Sequence, residues 1–291
     1  MARRRPSTVH GIAVVDKPAG VTSHDVVGML RRRFDERRVG HAGTLDPDAT
    51  GVLVIAVGNA TRLLRFIEAT TKQYVGEVVL GVETATLDAA GDVTARHDMG
   101  EVTLDTARVA AATLTGDIEQ IPPMVSAIRV DGRRLHELAR EGIEVERAPR
   151  PVHVSRFAVD PTNDPGVLAI NVECSPGTYV RTLAADLGAA LGGGAHLRNL
   201  RRTAVGRFTL DDAAGPDECV LLPARRAVDS LDVVRVDDET ATLVGNGRVL
   251  PAWPGDGPWA LVDGAERVLA VYEPFRERQA KPVVVLSTPI A

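Results

Sequence analysis

The most constraining stretch of the chain runs from Gly40 to Gly51, Gly-His-Ala-Gly-Thr-Leu-Asp-Pro-Asp-Ala-Thr-Gly. Three glycines, one proline and two aspartates in twelve residues exclude a helix or a regular strand here. Pro47 pushes the backbone of Asp46 toward extended geometry. Asp46 therefore sits on an irregular, constrained loop. Val52 to Val57 follows as an unbroken apolar run, which reads as a buried strand. The pattern holds a carboxylate at the mouth of a rigid core element, where a catalytic group is well placed. Ordinary turn chemistry accounts for part of it. Asp48 is the better turn residue, since its side chain can bond backbone N–H groups two residues on.

The flanking segments read as alternating strands and helices. Gly11 to Asp16 predicts a strand that ends at a Pro18–Gly20 turn. Ser23 then predicts an N-cap for a helix to about Phe34, with Val26, Val27, Leu30 and Phe34 on one face. Asn59 or Thr61 caps a short helix, and Gln73 to Leu80 alternates as a strand. Gly81 to Gly91 is loop-like. Thr103 opens a helix through Leu104, Val109 and Leu114, and residues 133–141 suggest another, carrying Arg133, Arg134, His136 and Arg140. Strands follow at 152–159 and 167–174, and a helix from Val180 to Leu191 stops at Gly192-Gly193-Gly194. Strands near 198–210 complete this part. The alternation lacks βαβ regularity, so the fold class is α+β, with a mixed, mainly antiparallel sheet flanked by helices. Composition shifts over Ala213–Arg235 and places a boundary near Leu231. Beyond it a short helix and strands at 259–263, 266–272 and 282–287, with a hairpin signal at Asp263-Gly264, describe a small β module.

The net charge of −5 argues against a generic nucleic-acid binder, but its distribution is uneven. Val82 to Glu119 holds eight acids against Arg96 and Arg108, whereas Ser175 to Arg207 holds five arginines against Asp186 alone. A basic face with acids placed elsewhere can bind RNA phosphates despite an acidic total. Cys174 and Cys219 form no CxxC and have no metal-ligand spacing, so both are expected to be reduced and structural. No apolar run has the length of a membrane span, and the basic stretch from Met1 to His10 lacks the core of a signal peptide. A cytoplasmic chain with a disordered arm at 1–10 is the expectation. Neither a phosphate-binding P-loop nor a dinucleotide fingerprint is present.

Several motifs together resemble one family. Gly-His-x-Gly-x-Leu-Asp-Pro-x-Ala-x-Gly over 40–51 is similar to the signature of the TruB family of tRNA pseudouridine synthases. Asp16-Lys17-Pro18-Ala19-Gly20-Val21-Thr22-Ser23 resembles its opening motif, and Lys72-Gln73-Tyr74 its Lys-x-Tyr strand. Gly177-Thr178-Tyr179-Val180-Arg181-Thr182 resembles its Gly-Thr-Tyr-x-Arg segment. Gly194-Ala195-His196-Leu197 and Leu200-Arg201-Arg202 resemble the segment that follows. The motifs stand in the family's order and cover roughly residues 10 to 210. Any one is weak, while the ordered set is specific.

The resemblance implies a pseudouridine synthase domain over 11–231 with an RNA-gripping insertion at about 120–152, and a PUA-like domain over 232–291. It implies isomerisation of the uridine at position 55 in the tRNA T loop. The N1–C1′ bond breaks, the uracil turns, and C5 joins C1′. Nothing is oxidised and no group is brought in, so no cofactor or metal is implied. Asp46 becomes the catalytic carboxylate; attack at C1′, attack at C6 and ribose proton abstraction all stay open. Tyr74 stacks on the target uracil, Arg181 pairs with Asp46, and Leu200 and Tyr179 line the pocket. His41 takes the stack vacated by the flipped base, Lys17 fixes the surrounding loops, and Arg133, Arg134, Arg140, Arg201 and Arg202 meet the RNA backbone. From the residues alone, Tyr74 reads equally as a core aromatic, Arg181 as a surface arginine at a helix start, Lys17 as a solvated lysine and His41 as a general acid or base. The partner implied is the tRNA T stem-loop, bound by a monomer without an obligatory protein partner. A tRNA-folding chaperone acting independently of catalysis is the alternative function. A two-carboxylate glycosidase ranks lower, because no second acid is well placed.

Overall fold

The structure is a computed structural model that describes residues 7–126, 129, 130, 132–135, 138 and 141–290. Residues 1–6 of the expected N-terminal arm, together with His136 and Arg140, lie outside the described residues, as does the side chain of Arg134. The chain divides into two compact units, Met1–Thr70 with Ala204–Ala291, and Thr71–Thr203.

The first unit opens with β1 (Gly11–Lys17), α1 (Ser23–Arg33), β2 (Val39–His41) and β3 (Thr50–Val57). The apolar run 52–57 is wholly buried in β3, which pairs antiparallel with β1 (Val14 opposite Val54) and with β2 (His41 opposite Ile55). The glycine-rich loop is thus shorter than expected, because both of its ends are drawn into this ladder. A 3₁₀ turn (Gly58–Leu63) and α2 (Leu64–Glu68) follow without the side-chain cap expected from Asn59 or Thr61. Thr61 instead donates its hydroxyl to the Gly58 carbonyl at 2.8 Å. The N-terminal stretch is tied in at its end, where the Asn59 N–H donates to His10 Nδ1 at 3.1 Å.

The second unit carries β4 (Lys72–Leu80), β5 (Val82–Thr84), β6 (Val93–Arg96), α3 (Leu104–Thr113), β7 (Gly116–Gln120), β8 (Arg129–Val130) and β9 (Arg133–Arg134). The chain continues through β10 (Arg150–Pro161), β11 (Val167–Cys174), α4 (Val180–Ala190) and β12 (Ala195–Val205), whose last two residues belong to the first unit. Within this unit β12, β4, β11, β10 and β7 lie side by side, and β4/β11, β11/β10 and β10/β7 are antiparallel. α3 packs on β10 and α4. It does so through Ala107, Ala110 and Ala111, which permit a close approach, while Val109 is 69 % exposed. Two further expectations are corrected in part. The 81–91 stretch is not all loop, since β5 pairs with β6, and Arg133 and Arg134 sit on β9, paired with β8, ahead of the helical Leu135 and Leu138. Gly192 ends α4 as expected, at φ +83°, a conformation that glycine adopts without strain.

The first unit resumes with β13 (Phe208–Thr209), which pairs with the end of β12. Then come β14 (Asp232–Arg235), α5 (Asp238–Gly245), β15 (Leu250–Pro251), β16 (Trp259–Val262), β17 (Val268–Pro274) and β18 (Gln279–Ile290). They form a five-stranded sheet in the order β14-β16-β17-β18-β15. One of its faces joins the core of β1 and β3 through Ala260, Val271 and Val284, while Trp259, Leu261 and Tyr272 form a second cluster with α5. The boundary expected near residue 231 falls inside this unit. The α+β class stands, and among the described residues no helix is long and apolar enough to cross a membrane.

Candidate active site

In the first unit, the loop that carries Asp46 is anchored on both sides of it. Ahead of it, one hydroxyl takes both backbone groups of the buried Leu45. The Leu45 N–H donates to Ser23 Oγ at 2.8 Å, and Oγ donates to the Leu45 carbonyl at 3.1 Å. Behind it, the Pro47 carbonyl accepts from Lys17 Nζ at 2.8 Å and from the Gly20 N–H at 3.0 Å. The Asp46 carbonyl closes a turn by accepting from the Ala49 N–H at 3.1 Å. Lys17 is wholly buried, and its ammonium also donates to the carbonyls of Pro18 at 2.9 Å and Val21 at 2.7 Å. A buried ammonium is costly unless its donors are filled, and three carbonyls fill them. The lysine thus welds the 17–21 turn to the far side of the loop. The Asp46 side chain is half-buried on this frame, Asp48 is exposed, and His41 is half-buried on β2.

Ser23 is free for this task because it does not cap α1. The N-cap is Thr22, whose hydroxyl accepts from the Asp25 N–H while Asp25 accepts from the Thr22 N–H, a reciprocal capping box. The Thr22–Asp25 hydrogen bond holds the Asp25 carboxyl below its ordinary value.

In the second unit, Tyr74 lies on β4 opposite Val172 and is buried. Gly76, two residues on and on the same face, would carry a Cβ 3.4 Å from the Leu200 Cα, so β12 passes close by at Leu200. Tyr179 is the N-cap residue of α4, and Arg181 stands in the helix's first turn, 4 % exposed. The Arg181 guanidinium donates to the carbonyls of Thr86 and Val125, each at 2.9 Å, and lies 3.6 Å from a carboxylate oxygen of Asp88. These contacts set the plane of the guanidinium.

Of the arginines assigned to RNA, Arg133 is exposed and paired with Glu141 at 2.5 Å, and Arg201 is half-buried. Arg202 shares a face of β12 with Ala204 and is 1 % exposed.

Comparisons with known proteins cover most of the chain. The family model described as TruB family pseudouridylate synthase, N-terminal domain, matches residues 31–180. The tRNA pseudouridylate synthase B C-terminal domain matches residues 181–217, and the tRNA pseudouridine synthase II C-terminal domain matches residues 231–287. The chain belongs to the TruB family of pseudouridylate synthases. Relatives named tRNA pseudouridine synthase B include that of Mycolicibacterium paratuberculosis, 46 % identical over 95 % of this chain and 97 % of that protein. That of Rhodococcus jostii is 46 % identical over 98 % and 97 %. Among solved structures, a Cbf5-Nop10-Gar1 complex contains a chain of the same fold, with a TM-score of 0.72 and 23 % identity over 95 % of this chain and 84 % of that one.

Within this family frame, three residues were not legible from the motifs. Gln120 holds the backbone of Tyr179, Asp88 stands beside Arg181, and Ser23 holds Leu45. Ser23 lies inside the 16–23 motif, where the sequence predicts a helix cap. Asp88 falls in the loop-like 81–91 stretch. The two thiols take no part in this machinery. Both are free and buried, and burial pushes Cys174 up to about 11.

Proposed function

We propose that the protein converts uridine 55 of the tRNA T loop to pseudouridine, with Asp46 as the catalytic carboxylate. The observation that carries this reading is the anchoring of Asp46 between two fixed peptides, Leu45 held by Ser23 and Pro47 held by Lys17. Catalysis by a single carboxylate depends on placing it within a fraction of an ångström of the reacting atoms, and a frame of buried hydrogen bonds does this before substrate arrives. Unstacking the target base costs a few kcal/mol, least where a loop is already strained. Tyr74 offers the turning uracil a ring to stack on, Leu200 and Tyr179 offer apolar walls, and His41 fills the stack left behind. The reaction conserves atoms: N1–C1′ breaks, C5–C1′ forms, C5 gives up its hydrogen, and N1 ends protonated. Its substrate is tRNA, as the names of its relatives state for theirs.

The test is a carbodiimide primer-extension assay on an unmodified tRNA transcript, with wild type and Asp46→Asn side by side. Wild type gives a new stop at the T-loop uridine. Asp46→Asn loses the stop, a fall of at least about 10³-fold in rate, and keeps its tRNA affinity. Near-normal turnover by Asp46→Asn would overturn the assignment.

A further inference from the structure

The motif that carries Tyr179 and Arg181 does not hold itself in place. Tyr179 occupies the N-cap of α4, where Ser, Thr, Asp or Asn would normally supply an acceptor, and its side chain makes no capping bond. Its own N–H lies in no strand or helix ladder. A side chain 59 positions away in sequence supplies what is missing. Gln120, at the end of β7 and 1 % exposed, accepts from the Tyr179 N–H through Oε1 at 2.9 Å and donates through Nε2 to the Tyr179 carbonyl at 3.3 Å. That carbonyl also accepts the first helical hydrogen bond, from the Leu183 N–H at 3.1 Å. The amide therefore acts as a stand-in peptide, pairing both polar groups of one residue as a neighbouring strand would. Five residues beyond Gln120, the Val125 carbonyl accepts from Arg181. One segment thus fixes the backbone of the turn and also its guanidinium.

We infer that Gln120 is a positioning residue for the reaction, setting the Tyr179–Arg181 turn to the orientation in which it receives the uridine. The inference rests on the functional reading above. An apolar side chain of similar length fills the same space and leaves both backbone groups of the half-buried Tyr179 without this partner. A glutamate keeps the bond from the N–H but, when ionised, sets an oxygen against the Tyr179 carbonyl. When protonated, it can donate to that carbonyl again.

The experiment measures single-turnover pseudouridine formation, tRNA affinity and hydrogen exchange of the 176–182 segment in the full chain, for wild type, Gln120→Met and Gln120→Glu. Expected are a rate loss of roughly 10- to 100-fold for Gln120→Met, affinity within about threefold of wild type, and faster exchange at Tyr179. Gln120→Glu is expected to regain at least about half of the lost rate, on a logarithmic scale, as pH falls from 8 toward 5.5, since burial raises a carboxyl pKa into this range. A Gln120→Met rate within twofold of wild type overturns the inference. So does a Gln120→Glu to wild-type rate ratio that is flat with pH, which marks a merely structural amide. An inactive wild type overturns the functional reading instead, and unchanged Tyr179 exchange in the variants would then overturn the clamp by itself.

Discussion

The Asp46 loop and the Tyr179–Arg181 turn solve one problem with material from different distances. Each sets a side chain of the proposed site on or beside backbone that regular ladders leave incomplete. Each is held by a buried polar side chain that takes both the N–H and the C=O of a single residue, Ser23 on Leu45 and Gln120 on Tyr179. The Asp46 loop draws its anchors from residues 17 to 23, one compact motif close by in sequence, and adds a buried charge in Lys17. The other turn draws on a residue from a different strand and on carbonyls of two further loops. The first frame is therefore local and charge-assisted, and the second is assembled only when the sheet of its unit has formed.

The largest expected effect comes from removing the charge. Lys17→Met removes the one ammonium shared by three carbonyls and leaves the 17–21 turn tied to Pro47 through the Gly20 N–H. Hydrogen bonds to charged groups contribute about 1.5–3 kcal/mol each, and only part is recovered by the apolar substitute, so a loss of about 2–4 kcal/mol is expected. Thermal unfolding would show it as a Tm lowered by several degrees. A Tm within a degree of wild type would mean that the loop is held by something other than this lysine.

A smaller effect separates holding the loop from capping the helix, using two adjacent residues. Ser23→Ala removes the pair of bonds to Leu45 and is expected to lower kcat about tenfold, with a stability loss of about 1–2 kcal/mol. Thr22→Ala removes the cap of α1, costs about 1 kcal/mol, and leaves kcat unchanged. Steady-state kinetics beside urea melts decide the matter. Equal kcat losses in the two variants would erase the distinction between them.

The same contrast explains what could be read in advance. The α+β class, β3, and the strands and helix around Arg181 were legible because apolar runs, alternation and glycine stops are local signals. Asp46 stood out because Pro47 restricts its backbone and the surrounding glycines interrupt regular structure. The role of Ser23 was hidden because a serine after a turn looks like an N-cap; Thr22 and Asp25 supply the better capping box and release it. The burial of Arg202 was hidden because its charge is visible in sequence and its face of β12 is not. Gln120 carried no signal, since a glutamine at a strand end has no preferred partner until the chain has folded. Resemblance supplied the proposed roles of Tyr74 and Arg181, and burial alone would not have told Tyr74 from any core aromatic.

The smallest expected effect tests how local the first frame is. The Thr22 hydroxyl and N–H depress the Asp25 carboxyl in the folded chain, from an ordinary value of 3.8. A carboxyl depressed by folding adds stability that is complete above its unfolded value and is lost as pH falls through its folded value. The difference in Tm between wild type and Asp25→Ala should therefore be constant from pH 7 to about 5 and shrink below about 4. The group is fully exposed, so the contribution is small and should weaken further in high salt. Ser23→Ala in the Asp25→Ala background then gives the coupling between the cap and the Leu45 clamp. Additive losses in Tm would show two independent anchors on neighbouring residues. A smaller combined loss would show that the helix start and the Asp46 loop fold as one piece, extending the local character of the first frame from hydrogen bonds to cooperativity.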